Sequence, residues 1–163
     1  DGFKFIGQQG TWDNGNYGVI GGAQNGNLEN SGGSGDVKVA ETDGDGLYYI
    51  RVNIDALTYT YVKMNWGVIG NATPNGWDSE TAMNYDFENN QFLLTTSLND
   101  GEMKFRSSNT GNAFGSGDWG YNVGNSDPYT AYDQNAPNFV ISAGNYNLGL
   151  EIHFDGTATV SGL

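Results

Sequence analysis

The chain has 163 residues, no cysteine and a formal net charge of −13, so it can hold one generous domain or two small ones. Its 6 basic residues against 19 acidic ones exclude electrostatic attraction to nucleic acid or to an anionic membrane, whereas a neutral ligand such as a sugar meets no such repulsion. The 26 glycines, the 13% aromatic residues and only 3 prolines are typical of an all-β protein with many turns.

Short alternating runs bounded by Gly, Asn and Asp predict antiparallel strands, and no longer stretch has a helical period. The first run should bury Phe3 and Phe5 and direct Lys4 to the opposite face, with Trp12 in the following loop. The apolar positions of the clearest later runs should also be buried. Strands are predicted at residues 36–41, 48–54, 58–63, 66–70, 91–97, 102–107, 138–142 and 146–154.

These runs occur twice in the same order, with a period of roughly 100 residues, typical of a sandwich domain. The sequence therefore predicts an all-β fold of antiparallel β-sandwich units in tandem, divided into residues 1–64 and 65–163. The first unit has no counterpart of residues 66–101, so we expect it to be the C-terminal part of a sandwich in a longer protein. The corresponding pieces are Lys4 and Lys104, Trp12 and Trp119, residues 36–39 and 138–141, and residues 46–48 and 144–146.

The second unit combines aromatic side chains with hydrogen-bonding ones. An indole beside a fixed ammonium group suits a pyranose ring, which has apolar C–H faces and a rim of hydroxyls. Stacking of this kind contributes about 1 kcal/mol per ring beyond burial, so one site is expected to bind weakly. The candidate contacts are Trp77, Lys104, Arg106, Trp119 and Asn138.

The alternative for each tryptophan is a place in the core. Trp66 begins an apolar strand and is predicted to be a core residue. Trp77 and Trp119 lie in polar, glycine-rich segments, which favours ligand contact over core filling. Judged alone, Lys104 would be a solvated strand residue and Asn138 a turn former.

Enzymatic activity is the first rival function. A glycosidase needs two carboxylates across a cleft, for which Glu102, Asp118 and Asp78 could be proposed, but solvated turns explain these residues better. The single histidine, His153, provides no basis for a catalytic triad or a multi-histidine metal site. We therefore predict no catalytic residues and no cofactor.

A calcium-supported adhesin or structural module without a sugar site is the second rival. Asp43, Asp45 and Asp55 offer carboxylate oxygens, which calcium prefers as ligands, but their spacing does not match an EF-hand loop. A hairpin turn explains them better, and no metal site is predicted.

Four segments resemble the glycogen-binding modules of family 48: residues 75–77, 103–105, 117–119 and 138–141. Residues 66–78 and the tandem arrangement are also similar to SusE/SusF-type outer-membrane starch-binding proteins of the Bacteroidetes. This resemblance implies immunoglobulin-like carbohydrate-binding modules that capture starch-type α-glucan without cleaving it. It implies a lipoprotein on the extracellular face of the outer membrane, anchored outside this sequence and working beside other glycan-uptake proteins.

Carried over position by position, the resemblance defines one site and the outline of another. The first unit retains a lysine and a tryptophan but lacks the earlier tryptophan, and Asp36 replaces the asparagine. The implied site in the second unit is Trp77, Lys104, Trp119 and Asn138, with Arg106 and Asn122 as helpers, and a second site would comprise Lys4, Trp12 and Asp36.

Overall fold

The computed structural model describes residues 2–107, 122–131 and 135–163. Apart from two short 3-10 turns, the regular elements of these residues are β-strands, and the strands pair in antiparallel sheets. No helix in the described part of the chain has the length and apolarity needed to span a membrane. The chain divides into two compact units, Asp1–Val62 and Lys63–Leu163. The prediction of an all-β, antiparallel fold is confirmed.

Unit one contains a three-stranded sheet and a hairpin. The sheet has the order β1-β2-β3, and β4 pairs with β5 in the hairpin. Val19, Leu28, Val37 and Tyr59 form the buried core of the unit, against which other apolar side chains pack. The strands are β1 (Phe5–Gln8), β2 (Thr11–Val19), β3 (Leu28–Asn30), β4 (Tyr48–Asn53) and β5 (Thr58–Lys63).

Unit two contains two antiparallel sheets, an arrangement consistent with a β-sandwich. The strands are β6 (Trp66–Ile69), β7 (Thr81–Ala82), β8 (Asn84–Asp86), β9 (Gln91–Leu98), β10 (Gly101–Ser107), β11 (Asn122–Val123), β12 (Phe139–Ile141), β13 (Gly144–Ile152) and β14 (Ala158–Ser161). One sheet has the order β11-β10-β6-β7, with β12 also paired to β10, and the other has the order β14-β13-β9-β8. Each sheet supplies buried apolar residues, among them Val68 and Phe105 from the first and Leu148 and Leu150 from the second.

Seven of the eight strands predicted from residue 36 onward are present, with ends that differ by at most two residues. The exception is the predicted strand at 36–41, which is wrong. Only Val37 pairs there, in a single bridge to Phe3 closed by backbone hydrogen bonds of 3.0 and 2.8 Å. The next amide, that of Lys38, donates to Oε1 of Gln24 at 2.9 Å. The Gln24 side chain thus accepts the amide hydrogen bond that a neighbouring strand would accept in a continuous ladder.

The predicted burial of the apolar positions in the run at 48–54, most of which forms β4, is also wrong. Ile50, Val52 and Ile54 are 38%, 39% and 50% exposed. The corresponding strand of unit two, β13, has the same alternation, but its Leu148 and Leu150 are at most 1% exposed. The difference follows from strand neighbours, because β13 lies between β9 and β14, whereas β4 pairs with β5 alone in the described part of the chain.

Candidate functional site

Strand β10 separates apolar from charged side chains. Met103 and Phe105 are fully buried, and Glu102, Lys104 and Arg106 alternate with them, so they point to the opposite face of the sheet. We call the surface that carries Glu102, Lys104 and Arg106 the outer face. Because β10 has β6 on one side and β11 and β12 on the other, residues from three strands flank its charged side chains.

Lys104 and Asn138 are neighbours across two strands. The register pairs Glu102 with Val140 and Met103 with Phe139, which places Asn138, one residue before β12, beside Lys104 on the outer face. Nδ2 of Asn138 donates to Oε2 of Glu102 at 3.0 Å. Nζ of Lys104 donates to the carbonyl oxygen of Ala136 at 3.4 Å, a distance at the long end for a hydrogen bond. An ammonium held this weakly, with three donors, can reach a further acceptor.

Arg106 is held more firmly than Lys104. Its Nε forms a hydrogen-bonded ion pair with Oε1 of Glu80, and the two side chains are 33% and 16% exposed. Gly67, which lies opposite Arg106 in β6, leaves room for Glu80, since a Cβ at this position would lie 2.8 Å from the Glu80 Cβ. The guanidinium has five N–H donors, so the pair with Glu80 leaves others for a ligand.

Asn122 lies directly opposite Arg106, in β11, and is 7% exposed. Its Oδ1 is buried and has no hydrogen-bond partner among the described residues. A buried acceptor without a partner costs about 1–3 kcal/mol, so a ligand that donates a hydrogen bond to this carbonyl would remove that cost.

A tight loop after β6 carries Trp77. The amide of Gly70 donates to the carbonyl of Gly76 at 2.9 Å, and the hydroxyl of Thr73 donates to the carbonyl of Gly70 at 2.9 Å. A Cβ at Gly70 would lie 2.1 Å from the carbonyl oxygen of Glu102, so the base of this loop sits against the backbone of β10. Trp77, immediately after Gly76, is 47% exposed and is not a core residue.

The other two tryptophans of unit two have different outcomes. Trp66 is 2% exposed, as predicted for a core residue, and lies opposite Ser107. Trp119, together with Asp118, lies outside the described residues, so its predicted place beside Trp77 stays a prediction.

The second predicted site lies in unit one. Phe3 and Phe5 pack against the core of the unit, which directs Lys4 to the opposite face, and the bridge between Phe3 and Val37 places Asp36 across from Lys4. Trp12 is 59% exposed, but it lies in β2 rather than in the predicted loop. The structure thus places Asp36 beside Lys4 as it places Asn138 beside Lys104.

Three partners on the outer face escaped sequence reasoning. Glu102 could have been found, because it alternates with Lys104 in the same strand. The carbonyl of Ala136 and the carboxylate of Glu80 leave no signal in the sequence, since they lie 32 and 26 residues from the basic groups that they contact.

The described residues contain no group of three or more His, Asp or Glu side chains that could hold a metal ion. Glu102 and Asp78, the carboxylates considered for catalysis, are both exposed. His153 contacts the hydroxyl of Thr159 at 2.9 Å through Nε2 and lies 3.6 Å from Oε1 of Glu151 through Nδ1. These contacts are those of a strand-end histidine at the surface.

Comparison with protein-family models, with curated proteins and with solved structures finds no match to this chain. The functional argument therefore depends on the geometry of the site and on the sequence itself.

Proposed function

We propose that the chain binds a neutral carbohydrate without cleaving it, and that the outer face of unit two, with Trp77 at its margin, is the binding site. The observation that carries this proposal is the meeting of Lys104, Arg106, Asn122 and Asn138 on one face of one sheet, although 16 residues or more separate the β10 residues from the two asparagines. Such a face offers hydrogen-bond donors and acceptors at fixed positions, and the loop after β6 presents the exposed indole of Trp77.

The hydrogen-bonding groups suit a hydroxyl-rich ligand. The ammonium of Lys104 donates, and the amide of Asn138 can donate and accept. Oδ1 of Asn122 is an acceptor that receives no hydrogen bond from the described part of the chain. A sugar diol presents both functions on neighbouring carbons, and its ring offers apolar C–H groups to Trp77. The net charge of −13 favours a neutral glycan over a polyanionic one.

Binding rather than hydrolysis is favoured by the state of Glu80 and Glu102, the carboxylates that the described residues place on this face. Glu80 is paired with Arg106, and Glu102 accepts a hydrogen bond from Asn138. Hydrolysis of a glycosidic bond needs one carboxylic acid and one carboxylate on either side of that bond. Here both acidic groups hold neighbouring side chains in position.

The finer part of the proposal follows from the sequence resemblance. It comprises immunoglobulin-like modules in tandem, starch-type α-glucan as the ligand, and a SusE/SusF-like lipoprotein at the extracellular face of the outer membrane that works with other glycan-uptake proteins. The pairing pattern supports the tandem interpretation, because Phe3 bridges Val37 as Met103 pairs with Phe139, at positions that the repeat aligns.

The deciding experiment is a binding panel. Calorimetry and affinity gel electrophoresis of the full chain against amylose, maltoheptaose, β-glucans and mucin oligosaccharides should show binding to the α-glucans, with no reducing ends released over a day of incubation. Binding to none of these glycans would refute the proposal, and release of reducing ends would refute its non-catalytic part.

A further inference from the structure

Glu80 connects the loop of Trp77 with the outer face. Nδ2 of Asn75, two residues before Trp77, donates to the backbone carbonyl of Glu80 at 3.2 Å. The carboxylate of the same residue forms the ion pair with Arg106. Glu80 thus joins the segment that presents the indole to the guanidinium on β10, and its charge lies within the proposed site.

The ion pair crosses strand β6 at Gly67, which has no side chain to block it. Gly67 lies between Arg106 of β10 and Ala82 of β7 in the sheet. A Cβ at this position would lie 2.8 Å from the Cβ of Glu80 and 2.7 Å from the carbonyl oxygen of Thr81, so a larger residue would displace the acid. The sequence of β6 therefore leaves the space that Glu80 occupies beside the guanidinium.

The carboxylate of Glu80, and not the amide of Asn122, fixes the direction of the Arg106 side chain. Asn122 lies directly opposite Arg106 in β11, at a separation that the side chains of facing residues commonly bridge. Oδ1 of Asn122 nevertheless receives no hydrogen bond from the described residues, Arg106 included. A charged acceptor binds a guanidinium more strongly than an amide does, which explains why Arg106 is directed towards β6.

The pair with Glu80 removes the attraction that Arg106 would have for an anion. Among the described residues of the outer face, the cations Lys104 and Arg106 are matched in number by the anions Glu80 and Glu102. An anionic sugar that approaches the guanidinium meets a carboxylate already in place and is repelled by it. A neutral hydroxyl can still accept a hydrogen bond from the remaining N–H groups of Arg106.

We propose that Glu80 determines the ligand class of the outer face: its carboxylate cancels the charge of Arg106 and thereby restricts the site to neutral glycans. This inference rests on the proposed function and deepens it by naming the residue that sets specificity. The net charge of the whole chain also repels anions, but salt screens such repulsion over about 10 Å at an ionic strength of about 0.1 M. Discrimination at the site itself therefore requires a carboxylate close to the ligand.

The test compares two forms of one glycan by calorimetry on the full chain. They are maltoheptaose and its C6-oxidised form, in which carboxylates replace the hydroxymethyl groups. The parent should bind the neutral form at least about tenfold more tightly. Glu80→Gln keeps the shape of the side chain and removes its charge, so it should strengthen binding of the oxidised form about tenfold. Adding Arg106→Gln should abolish this gain, and about 0.5 M NaCl should reduce it, because salt screens the new attraction.

The matched control is Glu88→Gln. It makes the same change in net charge, but Glu88 is exposed in the turn between β8 and β9, which belong to the other sheet. This variant should keep the preference of the parent for the neutral form. An equal gain in Glu88→Gln would overturn the inference, because net charge alone would then explain the effect.

The remaining outcomes separate this inference from the proposed function. A parent that binds maltoheptaose, with a Glu80→Gln variant that gains no affinity for the oxidised form, would overturn the role of Glu80 and leave the proposed function intact. A parent that binds neither form would overturn the inference, and the glycan panel would decide the proposed function separately.

A second variant decides if Glu80→Gln fails to fold. Arg106→Gln leaves the carboxylate of Glu80 without its cation, so this variant should bind C6-aminated maltoheptaose about tenfold more tightly than the parent does. The absence of such a gain in a folded Arg106→Gln chain would overturn the inference.

Discussion

Replacing Trp77 with alanine tests the proposed sugar platform most directly. The indole is 47% exposed, which leaves roughly 100 Å² of a side chain of this size open to a ligand. A sugar ring that covers half of this surface buries about 50 Å², worth about 1.2 kcal/mol at 25 cal/mol per Å². Stacking geometry adds about 0.5–1.5 kcal/mol. The expected loss is therefore about 2 kcal/mol, a weakening of roughly tenfold to a hundredfold.

The assay is calorimetry of Trp77→Ala against maltoheptaose, with thermal unfolding followed by circular dichroism. Because the ring is at the surface, we expect the free energy of unfolding to change by less than about 1 kcal/mol. Phe87→Ala is a matched control, since Phe87 is a 68% exposed aromatic residue in the turn after β8, and it should keep the parent affinity. An unchanged affinity of a folded Trp77→Ala variant would refute the reasoning, and so would a collapse of stability.

Three further changes test the site and its support. Lys104→Ala should weaken glycan binding about tenfold in the same titration, because it removes a charged donor. Lys104→Arg should recover part of this loss. Equal affinities in the parent and both variants would show that the ammonium does not contact the ligand. Gly70→Ala should destabilise the chain by about 1–3 kcal/mol in urea unfolding, because the φ of Gly70 is +148° and the new Cβ would meet the Glu102 carbonyl. The resulting shift of the loop should also weaken glycan binding. Unfolding like that of the parent would contradict this packing. The side-chain hydrogen bond from Asn89, with other donors, holds the pKa of Asp86 below its ordinary value, so its contribution to stability is present above about pH 4 and is lost as the pH falls through the lowered pKa. Asp86→Asn should therefore unfold more readily than the parent at pH 7 and match it once the pH has fallen below the lowered pKa, as measured in denaturant titrations. A difference that persists at such acid pH would exclude the carboxylate as its source.

The strands whose own sequence alternates between apolar and other residues were predictable. In β10 and β13, apolar residues alternate with polar residues or glycine, so the period of two defines both the strand and its buried face. The same period places Lys104 and Arg106 on a common face of β10. The run at 36–41 failed this reasoning, because one bridging residue resembles a strand until its hydrogen bonds are traced.

The candidate site was only partly predictable, because half of its contacts depend on register. Lys104, Trp77 and Asn138 were recognisable by residue type and segment. Three other features depend on which strands lie next to β10. They are the burial of Asn122, the ion pair of Arg106 with Glu80, and the position of the Ala136 carbonyl beside Lys104. No local pattern encodes that order.

Local alternation alone determined that this protein is all-β, where most of its strands run, and which side chains of each strand share a face. Tertiary structure alone decided which of those faces is covered. The repeated pattern of β4 and β13 makes this plain, since Ile50 and Leu148 occupy matching positions but are 38% and 1% exposed. The physical reason is that a side chain's direction is a property of its own backbone, whereas its burial requires a neighbouring strand that the segment itself does not specify.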